Sequence, residues 1–180
     1  PERLNKKCWV SIFSNATLLT REICHKLIDS GLDQFIFSID STDPELNDSI
    51  RIGSDLNKII ANLKILNEVR KERKTQYPHL FATTVLQKKN YKELPKIIGE
   101  MAAFGIKELG VNYLEPYKKE LLDTLLWYPE SDVPKDLEAV LNESKNIAIK
   151  KNIVLKLVEP NPVSPECNIN VPFILPNGDV

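Results

Sequence analysis

The stretch GLDQFIFSIDS, residues 31–41, sets a glycine before a run of apolar residues and ends that run on Ser38, Asp40 and Ser41. Phe35, Ile36 and Phe37 are consecutive, so both faces of a strand here are apolar. A parallel strand covered on its two sides reads this way, whereas a half-solvated antiparallel strand would alternate. The glycine closes a preceding helical pattern, Ile23, Leu27 and Ile28 at helical spacing after a Thr20 N-cap, because a left-handed C-cap needs no Cβ.

The same alternation recurs on both sides of this stretch. Apolar runs at 8–13 (CWVSIF), 34–39 (QFIFSI), 80–86 (LFATTVL), 108–114 (ELGVNYL) and 152–158 (NIVLKLV) read as strands. Between them, helices are expected from Thr20 to Gly31 and from about Ser54 through Leu56, Ile59, Ile60, Leu63 and Leu66 to the basic RKERK. A third opens on a capping-box-like Asn90 and Glu93 and buries Leu94, Ile97, Ile98 and Met101, with Pro95 in its early turns. The fourth runs from near Pro134 with Leu137, Val140, Leu141 and Ile147 inward. Strand and helix alternating in this way give an α/β fold with a parallel sheet. Five strands are too few for a closed eight-stranded barrel, so the sheet is either open or a segment of a larger barrel. From Pro160 the rhythm is lost, which marks a boundary between residues 1–159 and 160–180.

Composition bounds the function. The chain has 180 residues, 42% of them hydrophobic and 27% charged, with 24 basic and 25 acidic side chains and a net charge of −1. Such a balanced surface argues against nucleic acid or an anionic membrane as partner. No run of about 18 apolar residues and no secretory leader is seen, so a cytoplasmic protein is expected. Cys8, Cys24 and Cys167 have no paired spacing; Cys8 and Cys24 read as buried thiols, while Cys167 lies in the Pro-rich tail. His25 and His79 read as structural or exposed.

In parallel α/β folds ligands bind at the carboxyl ends of the strands. That rim receives Ser14 and Asn15 from the first run, Ser38, Asp40 and Ser41 from the second, and Asn112, Leu114 and Glu115 from the fourth. Ser38 and Asp40, two apart on a strand, point to one face and suit vicinal hydroxyls such as a ribose diol. Arg51 suits a carboxylate, as a bidentate clamp. The plainer readings stand beside these: Asp40 and Ser41 as turn caps, Arg51 paired with Asp48 or Asp55, Asn15 and Ala16 as a turn, Glu115 as a loop residue. Asp43, Glu45 and Asp48 read as solvated loop charges.

Together these segments resemble the radical S-adenosylmethionine enzymes, in the branch with a cysteine-rich SPASM or twitch-type extension. IFSNATLLT (12–20) is similar to that family's third barrel strand and Thr-Asn-Gly-type turn, with Ser14 and Ala16 as departures. FIFSIDS (35–41) is similar to the fourth, with Ser41 in place of a glycine. SIRIGSDLNKIIANLKIL (49–66) resembles the following Arg-x-Gly segment and helix, and VNYLEPY (111–117) the sixth strand. ECNINVPFILPNGDV (166–180) resembles the start of the extension.

The resemblance implies a partial (β/α) barrel, strands three to seven without the first units, plus an incomplete extension at 160–180. It implies S-adenosyl-L-methionine and a [4Fe–4S] cluster as cofactors. Ser38 and Asp40 would meet the ribose, Arg51 the methionyl carboxylate, Asn15 the rim near the methionyl group and Leu114 the adenine; Cys167 would be a first auxiliary-cluster ligand. A single thiolate cannot hold such a cluster. The family's Cys-x-x-x-Cys-x-x-Cys loop and Gly-Gly-Glu motif are not in this sequence, so the implied reaction, hydrogen abstraction by a 5′-deoxyadenosyl radical, is expected of a longer chain and not of this one. A peptide, protein or small-molecule substrate and an electron donor such as flavodoxin or ferredoxin are the implied partners. Two rivals are another (β/α) barrel enzyme, which would need strand-end histidines or a buried lysine, and a non-catalytic binding fragment. An incomplete barrel with open strand edges is also expected to aggregate when isolated.

Overall fold

The structure is a computed structural model that describes residues 8–114, 119–126 and 133–158. Five strands, β1 (Ser11–Ser14), β2 (Gln34–Ser38), β3 (His79–Leu86), β4 (Glu108–Tyr113) and β5 (Val154–Leu157), form one sheet in the order β1-β2-β3-β4-β5, every neighbour parallel. Chain order and spatial order agree, so there is no point at which the winding reverses. This is the order of a barrel wall; a doubly wound sheet would turn back on itself. Right-handed crossovers then put all the helices on one side.

That side holds the core. Phe35, Phe37 and Ile39 of β2 and its exit, Leu80, Ala82 and Leu86 of β3, and Leu109 and Val111 of β4 belong to one buried cluster with helix residues. The opposite alternation is less covered: β3 is buried at every second residue and half-buried between. The expectation of burial on both faces therefore holds only at the centre, at Phe35–Phe37 and 109–111; β1 and β5, at the edges, leave alternate residues exposed. Gly110 lies on the open face, where a Cβ would come within 3.0 Å of the Phe81 ring.

Local chemistry sets the helix ends. Helix α1 (Arg21–Asp29) starts at Thr20, whose hydroxyl accepts from Ile23 N at 3.2 Å, and the chain turns at Gly31 with φ +74°. It buries Cys24, while Ile23, expected inside, is 37% exposed. Cys8 is exposed, against the expectation of a buried thiol, because it precedes the first strand and nothing described packs over it. A short helix α2 (Pro44–Ile50) was not anticipated: Asp43 caps it by accepting from Leu46 N at 2.8 Å, and Pro44 fits the first turn. Helix α3 (Leu56–Glu72) begins at Asp55, not Ser54, with Asp55 accepting from Lys58 N at 2.9 Å and Asp48 from Leu56 N at 3.2 Å. Asp43 and Asp48 are thus caps of helix N-termini, where a carboxylate satisfies backbone donors; Glu45 remains an exposed charge in the first turn of α2.

After β3, Asn90 and Glu93 do not form a capping box. A 3₁₀ turn at Tyr91–Glu93 leads into α4 (Leu94–Ala103), and Pro95 is tolerated because the first turn needs no N–H there. Helix α5 (Leu137–Lys151) ends on Asn152 in the left-handed region, φ +57°. No described helix is long and apolar enough to cross a membrane. Glu115, Cys167 and the segment 160–180 lie outside the described residues.

Candidate functional site

At the carboxyl ends of β1 to β4 four connections enclose a cleft of about 450 Å³, within the ~300–1,000 Å³ typical of small-molecule sites. Asn15 enters after β1, Asp40 after β2, residues 50–54 from the α2–α3 loop, Val85 and Gln87 from the end of β3, and Leu114 after β4. Leu121 closes one side from a 3₁₀ turn at Lys119–Thr124, held by Lys88 N donating to Thr124 O at 2.9 Å. Of the five residues that the family resemblance assigns to S-adenosylmethionine, four, Asn15, Asp40, Arg51 and Leu114, meet here.

Asp40 is 2% exposed, and every polar group it has is taken. Its N–H donates to Asn47 Oδ1 at 3.0 Å and its carbonyl accepts from Asn90 Nδ2 at 2.8 Å. Oδ1 accepts from Val85 N at 2.7 Å and Thr84 Oγ1 at 3.2 Å, while Oδ2 lies 2.7 Å from Arg51 Nε. A buried carboxylate is tolerated only when so paired and bonded. Asp40 is therefore an anchor for Arg51 in the cleft that both of them line.

Arg51 reaches Asp40 because of the turn it opens. It ends α2, and Ser54 N donates back to Arg51 O at 2.8 Å across Ile52 and Gly53, with Gly53 at φ +84°. A positive φ at the third turn position is the type II signature and requires glycine. The Arg51 side chain keeps 27% of its surface exposed, and its Nε is buried without a hydrogen bond of ordinary geometry, so the short contact with Asp40 is one of charge. The alternatives are settled by this contact: Arg51 pairs with Asp40, not with Asp48 or Asp55.

The remaining expected residues divide. Ser38 does not line the cleft; its hydroxyl faces Thr83 Oγ1 at 3.3 Å on the neighbouring strand. Asn15 is at once rim and turn former: its Oδ1 accepts from Thr17 N at 3.2 Å and Thr17 Oγ1 at 2.8 Å. Ala16, where the family pattern has glycine, adopts φ +58° and is fully buried, with its carbonyl accepting from Asn62 Nδ2 at 2.8 Å. Ser41 does cap the next turn, accepting from Asp43 N at 2.9 Å, and also donates to Glu93 Oε2 at 3.2 Å. Burial pushes the Glu93 carboxyl up, and hydrogen bonds from Lys96, Thr42 and Ser41 outweigh it, leaving it below its ordinary value.

Sequence reasoning missed Asn47, Asn90 and Gln87. Asn47 and Asn90 are fully buried polar residues that hold Asp40 from either side. Gln87 follows the third strand as Asn15, Asp40 and Leu114 follow the first, second and fourth, so its place at strand end is the signal that marks it.

Residues 2–101 match the radical SAM superfamily. The chain belongs to the radical SAM superfamily. It is 29% identical over 140 residues to the tungsten-containing aldehyde ferredoxin oxidoreductase cofactor-modifying protein of Pyrococcus furiosus, a match covering 77% of this chain and 38% of that protein. It is also 29% identical over 150 residues to the AdoMet-dependent heme synthase of Methanosarcina barkeri, covering 82% and 39%. The chain thus spans less than half the length of these relatives. Among solved structures, Streptococcus suis SuiB shares the fold with a TM-score of 0.60 at 17% identity, over 82% of this chain and 32% of that one. SuiB bound to S-adenosylmethionine gives a TM-score of 0.56 at 18% identity over the same shares.

Membership of the radical SAM superfamily implies S-adenosylmethionine and a [4Fe–4S] cluster, and the cleft fits the first. It combines one partly exposed guanidinium, anchored at Nε by Asp40, with apolar walls at Val85, Leu114 and Leu121 and amides at Asn15 and Gln87, a set matched to a ligand with a carboxylate, a flat ring and hydroxyls. For the cluster, no group of three or more His, Cys, Asp or Glu that could hold a metal occurs among the described residues.

Proposed function

We propose that this radical SAM chain forms the S-adenosylmethionine-binding part of an enzyme that cleaves that molecule reductively and uses the product to modify a larger substrate. The observation that carries the reading is the Asp40–Arg51 pair at the sheet rim, 2.7 Å apart, in a chain of this family. When bound beside a reduced [4Fe–4S] cluster, S-adenosylmethionine supplies a 5′-deoxyadenosyl radical for hydrogen abstraction.

The chain's own residues bind and orient. Asp40, fixed by Asn47, Asn90, Val85 and Thr84, sets the rotamer of Arg51, whose guanidinium takes the methionyl carboxylate. Asn15 meets the methionyl end of the cleft, and Leu114 packs on the adenine. Val85, Leu114 and Leu121 exclude water from the ribosyl and ring portions, which strengthens the charge pairing beside them. Electrons for the cleavage come from a donor such as flavodoxin or ferredoxin.

A peptide or protein side chain is the substrate that the SPASM-like tail, Cys167 included, suggests. The names of the two sequence relatives, one cofactor-modifying and one a heme synthase, favour a second reading in which the substrate is itself a cofactor. The deciding experiment is anaerobic cluster reconstitution of the full-length protein, reduction, and detection of 5′-deoxyadenosine. Turnover that is lost in Arg51→Met with S-adenosylmethionine binding weakened more than tenfold is expected; a cluster-loaded protein that never forms 5′-deoxyadenosine refutes the proposal.

A further inference from the structure

Glu93 stands outside the cleft, in the 3₁₀ turn that follows β3, yet three donors meet on its carboxylate. The side chain is only 15% exposed. Oε2 accepts from Ser41 Oγ at 3.2 Å and from Thr42 Oγ1 at 3.1 Å, and Oε1 accepts from Lys96 Nζ at 3.0 Å. A carboxylate this far from water needs such partners. Glu93 N donates to Asn90 O at 2.8 Å, so the carboxylate is carried by the same turn whose Asn90 holds the Asp40 carbonyl. Two of its three partners, Ser41 and Thr42, belong to the connection that leads from β2 to Arg51.

Asp40, Ser41, Thr42 and Asp43 are consecutive. Asp40 anchors Arg51, and Asp43 caps α2, the helix that ends at Arg51. Ser41 Oγ also accepts from Asp43 N at 2.9 Å, which ties that cap to a hydroxyl held by Glu93. Glu93 therefore fixes the entry to α2, while Asp40 receives the guanidinium at its exit. With seven residues, α2 is too short to keep its form and place without tertiary contacts. Ser41 stands where the family pattern has glycine, so the hydroxyl that reaches Glu93 is a feature of this chain. We infer that Glu93 is a positioning residue for Arg51: through Ser41, Thr42 and α2 it sets where the guanidinium meets the carboxylate of the ligand.

The inference rests on the S-adenosylmethionine reading, and the experiment separates the two. Dissociation constants of the full-length, cluster-loaded protein are measured for S-adenosylhomocysteine and for 5′-methylthioadenosine, which keeps the adenine, ribose and sulfur but has no carboxylate. Wild type should bind 5′-methylthioadenosine at least about tenfold more weakly, the size of one charged hydrogen bond. Glu93→Met leaves both hydroxyls without their acceptor; it should weaken S-adenosylhomocysteine about tenfold and 5′-methylthioadenosine by less than about twofold. Glu93→Gln keeps an oxygen for the two hydroxyls and should stay within about threefold of wild type for both ligands. Added to Arg51→Met, Glu93→Met should change neither affinity by more than about twofold, because the group it positions is gone. A role in folding alone would weaken both ligands equally in Glu93→Met, and that result overturns the inference, as does wild-type affinity for both. If Glu93→Met does not fold, Thr42→Val and Ser41→Ala each remove one of the hydroxyls, and an unchanged ratio of the two affinities in both variants overturns it instead. A wild-type protein that binds neither ligand refutes the S-adenosylmethionine reading itself.

Discussion

Asn90 is the residue whose removal tests the architecture of the cleft most directly. It is fully buried, donates to Asp40 O at 2.8 Å and Val85 O at 3.0 Å, and accepts from Gln87 N at 2.8 Å. Asn90→Ala deletes three hydrogen bonds at about 1 kcal/mol each and leaves a buried N–H and two carbonyls unpaired, so a loss of about 3 kcal/mol is expected. Asn47 holds the same residue from its other end, accepting from Asp40 N at 3.0 Å and donating to Asp48 Oδ1 at 2.9 Å. Asn47→Ala should cost about 2 kcal/mol. Because both act through Asp40, the double variant should depart from additivity by more than about 0.5 kcal/mol, the scatter seen for independent sites. Urea denaturation at constant m-value reads all three quantities. Strict additivity, or an Asn90→Ala protein within about 0.5 kcal/mol of wild type, would show that Asp40 is not held from both sides as the hydrogen bonds indicate.

Ala16 sits at φ +58° without exposure; Ala16→Gly should change stability by less than about 1 kcal/mol, because relief of the left-handed strain is offset by unfolded-chain entropy, whereas Ala16→Val should cost about 2 kcal/mol or more in the same denaturation assay. At Gly110 a methyl would meet the Phe81 ring at 3.0 Å, so Gly110→Ala should destabilise by about 1–3 kcal/mol, and pairing it with Phe81→Leu should recover part of that loss. The Glu93 carboxyl is burdened by burial but lowered overall by Lys96, Thr42 and Ser41. A depressed folded-state value makes its stabilisation present above the unfolded value and lost as the pH falls through the folded one. Denaturation midpoints between about pH 6 and pH 3 should fall less steeply for Glu93→Gln than for wild type, and parallel curves would contradict the assignment.

Phe35-Ile36-Phe37, the recurrent apolar runs, Thr20 as a cap and Gly31 as a stop made the parallel α/β order readable from the sequence, because periodicity, capping and positive φ act within a few residues of chain. The rule that ligands sit at the carboxyl ends of parallel strands brought Asn15, Asp40 and Leu114 to one rim, and the family resemblance added Arg51. They did not say which carboxylate Arg51 meets, nor that α2 exists to turn it back, nor that Asn47, Asn90 and Gln87 line or support the cleft. Those contacts join residues 7 to 50 positions apart, and they depend on the register that sets Ser38 beside Thr83 and Val85 beside Asn112. Asp48 and Asp55 are nearer to Arg51 along the chain than Asp40, and only the packed sheet, by burying Asp40 among hydrogen-bond partners from α2, β3 and the turn after it, decided in its favour.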